Sequence, residues 1–131
     1  MPTIRSIAVV EDQNDNRNLL VNLLRLSGYQ VESAADGNEG LSLIERMQPD
    51  AAIVDVGLPE RDGYAVARAV RERLGDRAIT LIALTGYGQR ADVEQAIAAG
   101  FDHHLVKPLQ PKQLQELLGP PPAEMKVPMT K

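Results

Sequence analysis

Acidic residues directly follow two short apolar runs of this chain. Glu11 and Asp12 come after the run that ends at Val10, and Asp55 follows the four apolar residues that begin at Ala51. Carboxylates that lie close together repel one another, and a hard divalent cation with oxygen ligands relieves that repulsion. Mg²⁺, for which Mn²⁺ could substitute, suits a few carboxylates, a main-chain carbonyl and retained waters. The ion would bridge to phosphoryl oxygens, and a carboxylate is a known nucleophile for phosphoryl transfer.

Two further polar residues end apolar runs. Thr85 follows residues 79–84, and Lys107 follows residues 105–106. A lysine supplies a mobile positive charge for a phosphoryl oxygen, and a threonine supplies a hydroxyl donor. Any one of these polar residues, taken alone, is best explained as a loop or cap residue. Taken together, however, they all stand directly after an apolar run. The sequence has no glycine-rich nucleotide cradle, so we expect the phosphoryl group to arrive on something other than a bound nucleotide.

Apolar periodicity predicts five strands that alternate with five helices. The predicted strands are 7–10, 29–34, 51–54, 79–84 and 105–106. Mostly continuous apolar strands with short loops predict an α/β fold, a doubly wound parallel sheet with helices on both faces. The second strand alternates in polarity and suits an edge, which the order 2-1-3-4-5 provides. Ligands of such sheets lie beyond the carboxyl ends of the strands, so we predict that the polar residues form one site.

Polar residues are also predicted to cap the helices. Asp36 has capping-box spacing to Glu39, and Asp62 is the predicted N-cap of the third helix. Pro111 fits the first position of the last helix. For the first helix the sequence does not choose among three competent caps, Asn14, Asp15 and Asn16.

Length and composition bound the class of protein. The 131 residues predict one domain, residues 1–119, followed by a Pro-rich disordered tail or linker stub at 120–131. A net charge of −4 with no Lys/Arg run argues against a nucleic-acid partner. The absence of cysteine excludes disulfides, thiolate zinc sites and a cysteine nucleophile. No signal peptide or segment of membrane-spanning length appears, so we expect a cytoplasmic protein without a membrane partner.

The sequence resembles the receiver domain of bacterial two-component response regulators, such as the chemotaxis regulators, over about residues 5–118. The matching motifs are VVED at 9–12, DVGLPERDG at 55–63, ALTG at 83–86 and GFDHHLVKPL at 100–109. The resemblance implies the five-stranded flavodoxin-like receiver fold and a signalling switch in a two-component system or phosphorelay. It implies no enzyme activity beyond self-phosphorylation and slow self-dephosphorylation. The chain looks like a single-domain regulator or a receiver from a hybrid histidine kinase.

The resemblance also implies the roles of the acidic residues. Asp55 would accept the phosphoryl group and form an aspartyl phosphate. Glu11, Asp12 and Asp55 would bind Mg²⁺, with the main-chain carbonyl of Gly57 as a further ligand. The donor would be a phosphohistidine on a sensor histidine kinase or a histidine phosphotransfer domain. The phosphorylated chain, a monomer or weak dimer, would then act on a downstream protein that the sequence does not identify.

The remaining motif residues would contact the phosphoryl group or switch with it. Thr85 would be the switch hydroxyl, Gly86 would leave room beside it, and Lys107 would contact the phosphate. The Lys107–Pro108 bond is often cis in the family, which gives Pro108 a structural role. One position departs from the family: the aromatic residue usually found three residues before the lysine is here His104, whose ring is polar. This departure bears on the output surface and on a switch role for His104, not on phosphorylation.

Two alternative functions are weaker. One is a small-molecule phosphatase or phosphotransferase with an aspartyl-phosphate intermediate. Such hydrolases usually carry a second acid two residues after the nucleophile, where this chain has Gly57. The other is a pseudo-receiver that serves only for docking, which the presence of every phosphorylation residue disfavours.

Overall fold

The computed structural model of the chain describes residues 4–58, 62–75, 79–86, 90–107 and 110–119, with residues 90–92 described as backbone only. Within these ranges, five strands alternate with five helices, as predicted. The strands are Ser6–Val10 (β1), Gln30–Ala34 (β2), Ala51–Asp55 (β3), Thr80–Thr85 (β4) and His103–Val106 (β5). The helices are Asn14–Leu26 (α1), Gly37–Met47 (α2), Gly63–Leu74 (α3), Arg90–Ala99 (α4) and Pro111–Leu118 (α5).

The strands form one parallel sheet in the order β2-β1-β3-β4-β5, which confirms the predicted topology and the edge position of β2. Val10 of β1 is in register with Val54 of β3. Thr85 at the end of β4 is in register with Val106 of β5. The carboxyl ends of β1, β3, β4 and β5 therefore lie along one edge of the sheet, which is where the polar motif residues follow.

Both faces of the sheet are buried. Successive strand residues point to opposite faces, so Ala8 and Val10 pack with α2 and α3, whereas Ile7 and Val9 pack with α1 and α5. The central strand β3 is buried at all of its residues. A strand covered on both faces has no solvated side to mark with polar residues, which explains the continuous apolar runs.

Two predicted caps are confirmed by their hydrogen bonds. The Asp36 carboxylate accepts the main-chain N–H of Glu39 at 2.8 Å, and the Asp62 carboxylate accepts that of Ala65 at 2.8 Å. Pro111 occupies the first turn of α5, as predicted. Asp62 thus fixes the start of α3 immediately after the loop that follows Asp55.

The start of α1 differs from the prediction. Its N-cap residue is Gln13, which makes no side-chain capping bond. The main-chain N–H of Gln13 instead donates to Oε2 of Glu11 at 3.1 Å. The three candidate caps, Asn14, Asp15 and Asn16, lie inside the first turn of α1, one to three residues after the N-cap position.

Among the described ranges, no helix is long and apolar enough to cross a membrane. The predictions for Pro108 and for the tail at 120–131 concern residues outside those ranges, and they stay predictions.

Candidate functional site

Three carboxylates converge at the carboxyl edge of the sheet. Because Val10 and Val54 are partners in adjacent strands, the residues that follow them, Glu11 and Asp55, are also neighbours. Carboxylate oxygens of Glu11, Asp12 and Asp55 all lie within 4.8 Å of one another. Glu11 and Asp55 are only 1% and 6% exposed, whereas Asp12 is exposed. Two carboxylates of the cluster are therefore buried, and solvent reaches the cluster at the third, Asp12.

A lysine ammonium group lies against the two buried carboxylates. Lys107 Nζ is 2.8 Å from Oδ2 of Asp55 and 3.2 Å from Oε1 of Glu11. The lysine is held in place from its main chain, because its N–H donates to the carbonyl of Thr85 at 2.8 Å. Thr85 itself is buried at the end of β4. The structure thus brings together the acids and the lysine that the sequence places after separate strands.

Burial and charge shift the pKa of two of these groups. Burial raises the pKa of Glu11, and the negative charge of Asp55 raises it further, against the lowering effects of the Gln13 N–H and of Lys107. Burial alone would lower the pKa of Lys107. The hydrogen bond to Asp55 and the charges of Asp55 and Glu11 outweigh that effect and raise it above its ordinary value. Lys107 therefore stays charged in the folded chain. The ionised form of Glu11, by contrast, is disfavoured there by burial and by the charge of Asp55.

The donor set fits a hard divalent cation. Oε1 of Glu11 is buried and accepts no hydrogen bond from the described residues, although it makes an ion-pair contact with Lys107. One ammonium group offsets only part of the charge of three clustered carboxylates. A cation with oxygen ligands and retained waters would take up the remaining negative charge, and Mg²⁺ is bound in this way. The acidic cluster is thus able to bind Mg²⁺.

Other predicted residues lie around this centre. The Gly57 N–H donates to Oδ1 of Asp55 at 2.8 Å and orients that carboxylate. A Cβ added at Gly86 would meet no atom of the described residues within 4 Å beyond its chain neighbours, so among them the space beside Gly86 is open. His104 is exposed on β5, in register with Ala83 of β4. Its imidazole therefore lies at the surface in this state of the chain.

Arg17 also contacts this site, although no sequence pattern predicts it there. Nη1 of this side chain donates to the main-chain carbonyl of Glu11 at 2.9 Å. The only sequence signal for such a contact is a basic residue near the N-terminus of α1, where the helix macrodipole disfavours positive charge. An arginine beside an acidic motif is common enough that this signal alone predicts no contact.

The comparisons with known proteins agree with this geometry. Residues 7–119 match the family described as response regulator receiver domain. The chain is 35% identical over 115 residues to "Probable transcriptional regulator ycf27" of Guillardia theta, an alignment that covers 88% of this chain and 44% of that protein. It is 38% identical over 112 residues to an uncharacterized 14.6 kDa protein of Leptolyngbya boryana, covering 86% of each. The chain thus spans less than half the length of the ycf27 relative.

Solved structures with the same fold include signalling proteins. Chemotaxis protein CheY4 of Vibrio cholerae matches with a TM-score of 0.82 and 29% identity, covering 88% of this chain and 97% of that one. The receiver domain of a sensor histidine kinase from Pseudomonas aeruginosa, solved with a magnesium ion in its active-site cleft, matches with a TM-score of 0.80 and 34% identity, covering 88% and 95%. The chain therefore belongs to the family of response regulator receiver domains, which act as signalling switches rather than classical enzymes.

Proposed function

We propose that this chain is a phosphoacceptor switch of a two-component system or phosphorelay, and that Asp55 carries the phosphoryl group. The observation that carries the proposal is the setting of Asp55. Its carboxylate is almost fully buried at a strand end, one oxygen lies 2.8 Å from Lys107 Nζ, and two other acids lie beside it. The proposed donor is a phosphohistidine of a sensor histidine kinase or of a histidine phosphotransfer domain.

In the proposed transfer, a carboxylate oxygen of Asp55 forms a bond to phosphorus while the phosphorus–nitrogen bond of the donor breaks. The departing imidazole nitrogen keeps the electron pair of that bond. The Lys107 ammonium group contacts a phosphoryl oxygen, and the Thr85 hydroxyl donates to another. Glu11, Asp12, Asp55 and the Gly57 carbonyl would hold Mg²⁺, which would supply positive charge to the phosphoryl oxygens.

The proposed output is a change of the surface formed by α4, β5 and α5. A phosphoryl group on Asp55 adds charge at the buried end of β3 and attracts the Thr85 hydroxyl. The open space at Gly86 leaves room for Thr85 to rearrange, and the exposed position of His104 leaves room for the histidine ring to do so. Local electrostatics would thus bias a two-state element that a downstream protein reads. Slow hydrolysis of the aspartyl phosphate returns the switch to its starting state.

The proposal is tested by intact mass after incubation with acetyl phosphate or with phosphoramidate, which carries a phosphorus–nitrogen bond. We expect the wild-type chain to gain one phosphoryl group only when Mg²⁺ is present. Asp55→Asn should gain none. The control Asp62→Asn should behave as wild type, because asparagine caps a helix as well as aspartate does.

Three results would contradict the proposal. A gain that persists in Asp55→Asn would place the phosphoryl group on another residue. No gain in wild type with either donor would remove the phosphoacceptor activity. Continuous turnover of a small phosphate ester, beyond slow self-hydrolysis, would favour the small-molecule phosphatase instead.

A further inference from the structure

The place of Arg17 in α1 is electrostatically unfavourable. It is the fourth residue of the helix, close to the N-terminal end, where the macrodipole is positive. The N-cap residue Gln13 makes no side-chain capping bond that would offset this. A residue in a locally unfavourable position indicates a compensating contact, and such conflicts occur most often at functional sites.

The compensating contacts of Arg17 are with the acidic motif. Nη1 donates to the carbonyl oxygen of Glu11 at 2.9 Å and lies 3.5 Å from that of Asp12. Nη2 donates to the side-chain oxygen of Asn14. The guanidinium group therefore bonds the main chain of the two acids and leaves their carboxylate oxygens available. A contact with the carboxylates themselves would compete with a cation.

We propose that Arg17 is a positioning residue for the metal site. It fixes the main chain of Glu11 and Asp12 so that their carboxylates converge with that of Asp55. The bond from the Gln13 N–H to Oε2 of Glu11 then orients the Glu11 side chain, because the main chain on both sides of it is already held. Groups that orient ligands in this way commonly tune metal affinity. The inference rests on the Mg²⁺ binding that the proposed function includes.

The test is calorimetric titration of the metal-free chain with Mg²⁺, without any phosphodonor. We expect Arg17→Gln to weaken Mg²⁺ binding by about three- to tenfold, the effect of losing roughly one hydrogen bond. Arg17→Lys should recover part of the affinity, because an ammonium group is able to bond one of the carbonyls.

Arg25 offers a matched control on the same helix. Its Nη2 donates to the carbonyl oxygen of Val31 at 2.7 Å, so Arg25→Gln also removes an arginine–carbonyl contact. This contact lies at the other end of α1, away from the acids. We expect Arg25→Gln to leave Mg²⁺ affinity within about twofold of wild type, since ligand geometry is unchanged. A merely structural role for Arg17 would give the same result for both variants.

A second measurement tests the positioning without metal. Amide hydrogen exchange of Gln13 reports the bond from its N–H to the Glu11 carboxylate. Exchange at this amide should be faster in Arg17→Gln than in wild type, and unchanged in Arg25→Gln.

The outcomes separate this inference from the proposed function. Equal Mg²⁺ affinity in wild type and Arg17→Gln, or an equal loss in Arg25→Gln, would overturn the role of Arg17 alone. A wild-type chain that binds no Mg²⁺ would overturn both the metal site and this inference. Phosphorylation of Asp55 would still be decided by the mass measurement.

Discussion

At the scale of single residues, Glu11 shows the conflict between stability and site chemistry. Burial raises the pKa of its carboxyl group, so the folded chain binds this proton more tightly than the unfolded chain does. The stability that the protonated group contributes is present below its ordinary pKa and is lost as pH rises through the folded-state value. At neutral pH, therefore, the ionised Glu11 lowers the free energy of unfolding of the metal-free chain.

The first prediction concerns this destabilising effect of the ionised Glu11 side chain. Glu11→Gln should raise the free energy of unfolding of the metal-free chain at pH 7, because it removes the buried charge beside Asp55. The gain should disappear below about pH 4, where the wild-type carboxyl group is also neutral. Denaturant titrations at both pH values measure the effect, and Glu116→Gln on the exposed face of α5 is the control.

The opposite result is also informative. A Glu11→Gln chain that is less stable than wild type at pH 7 would mean that the ion pair between Glu11 and Lys107 stabilises the fold by more than burial costs. The raised pKa of Glu11 would then be contradicted by experiment.

At the scale of elements, α3 is packed directly against the main chain of Asp55, the proposed phosphoacceptor. A Cβ at Gly63 would lie 2.5 Å from the carbonyl oxygen of Asp55 and 2.6 Å from Cα of Val56. Both neighbours are backbone atoms, which are unable to move aside as a side chain would. A residue without a side chain is therefore required where α3 begins.

The second prediction concerns this contact. Gly63→Ala should lower the free energy of unfolding by about 1–3 kcal/mol, the usual effect of overpacking. Gly86→Ala is the control, because its Cβ would enter open space, and we expect a change within about 0.5 kcal/mol. Thermal or denaturant unfolding measures both variants. Equal stability of Gly63→Ala and wild type would show that α3 shifts without cost.

The elements were predictable from the sequence because both faces of the sheet are buried. The run 51–54 has no polar residue until Asp55, and its shortness together with the turn residues on either side favours a fully buried strand over a buried helix segment. Once the order β2-β1-β3-β4-β5 is known, Asp55 must lie beside Glu11. The predicted site thus followed from the ends of strands and from one choice of topology.

The contacts of the long side chains were not predictable. Arg71 donates from Nε to the carbonyl of Gly100 at 3.0 Å and from Nη1 to that of Ile79 at 3.0 Å, and it also pairs with Asp102. Carbonyl acceptors carry no sequence signature, and an arginine reaches them only when tertiary packing has placed them. The cap of α1 was also mispredicted, because the N-cap position lies one residue before the first of the three candidates and its residue, Gln13, makes no side-chain capping bond that a sequence pattern would mark.

At the scale of the whole molecule, an apolar groove adjoins the acidic site. It has a volume of about 420 Å³ and is lined by Glu11, Asn16, Leu19, Leu20, Leu23, Leu84 and Lys107. Leu19 of this groove is 70% exposed. Large exposed apolar side chains beside a functional site are typical of docking surfaces. The proposed protein donor would contact this groove while it presents its phosphohistidine.

The third prediction separates protein donors from small donors. The donor is a histidine phosphotransfer domain that labels the wild-type chain. Leu19→Ser should slow phosphotransfer from this domain by roughly tenfold, because the substitution removes about one interface contact. Labelling by acetyl phosphate should be unchanged, because the acidic site is intact. Leu26→Ser is the control, since Leu26 is 81% exposed at the far end of α1. Equal rates for Leu19→Ser and wild type would exclude the groove from docking.

The fourth prediction couples the site to the stability of the entire chain. A cation that binds only the folded state stabilises it by about 2.7 kcal/mol at a hundredfold excess over its Kd. For a domain of this size, such a gain raises Tm by roughly 10 °C. Chelation with EDTA should reverse the shift in the wild-type chain. Asp55→Asn, which removes one of the three converging carboxylates, should show a much smaller shift, whereas Asp36→Asn, which keeps the cap of α2, should match wild type. A shift of equal size in Asp55→Asn would place the stabilising cation away from the carboxylates that end β1 and β3, because a hard ion at their junction loses a charged ligand in that variant.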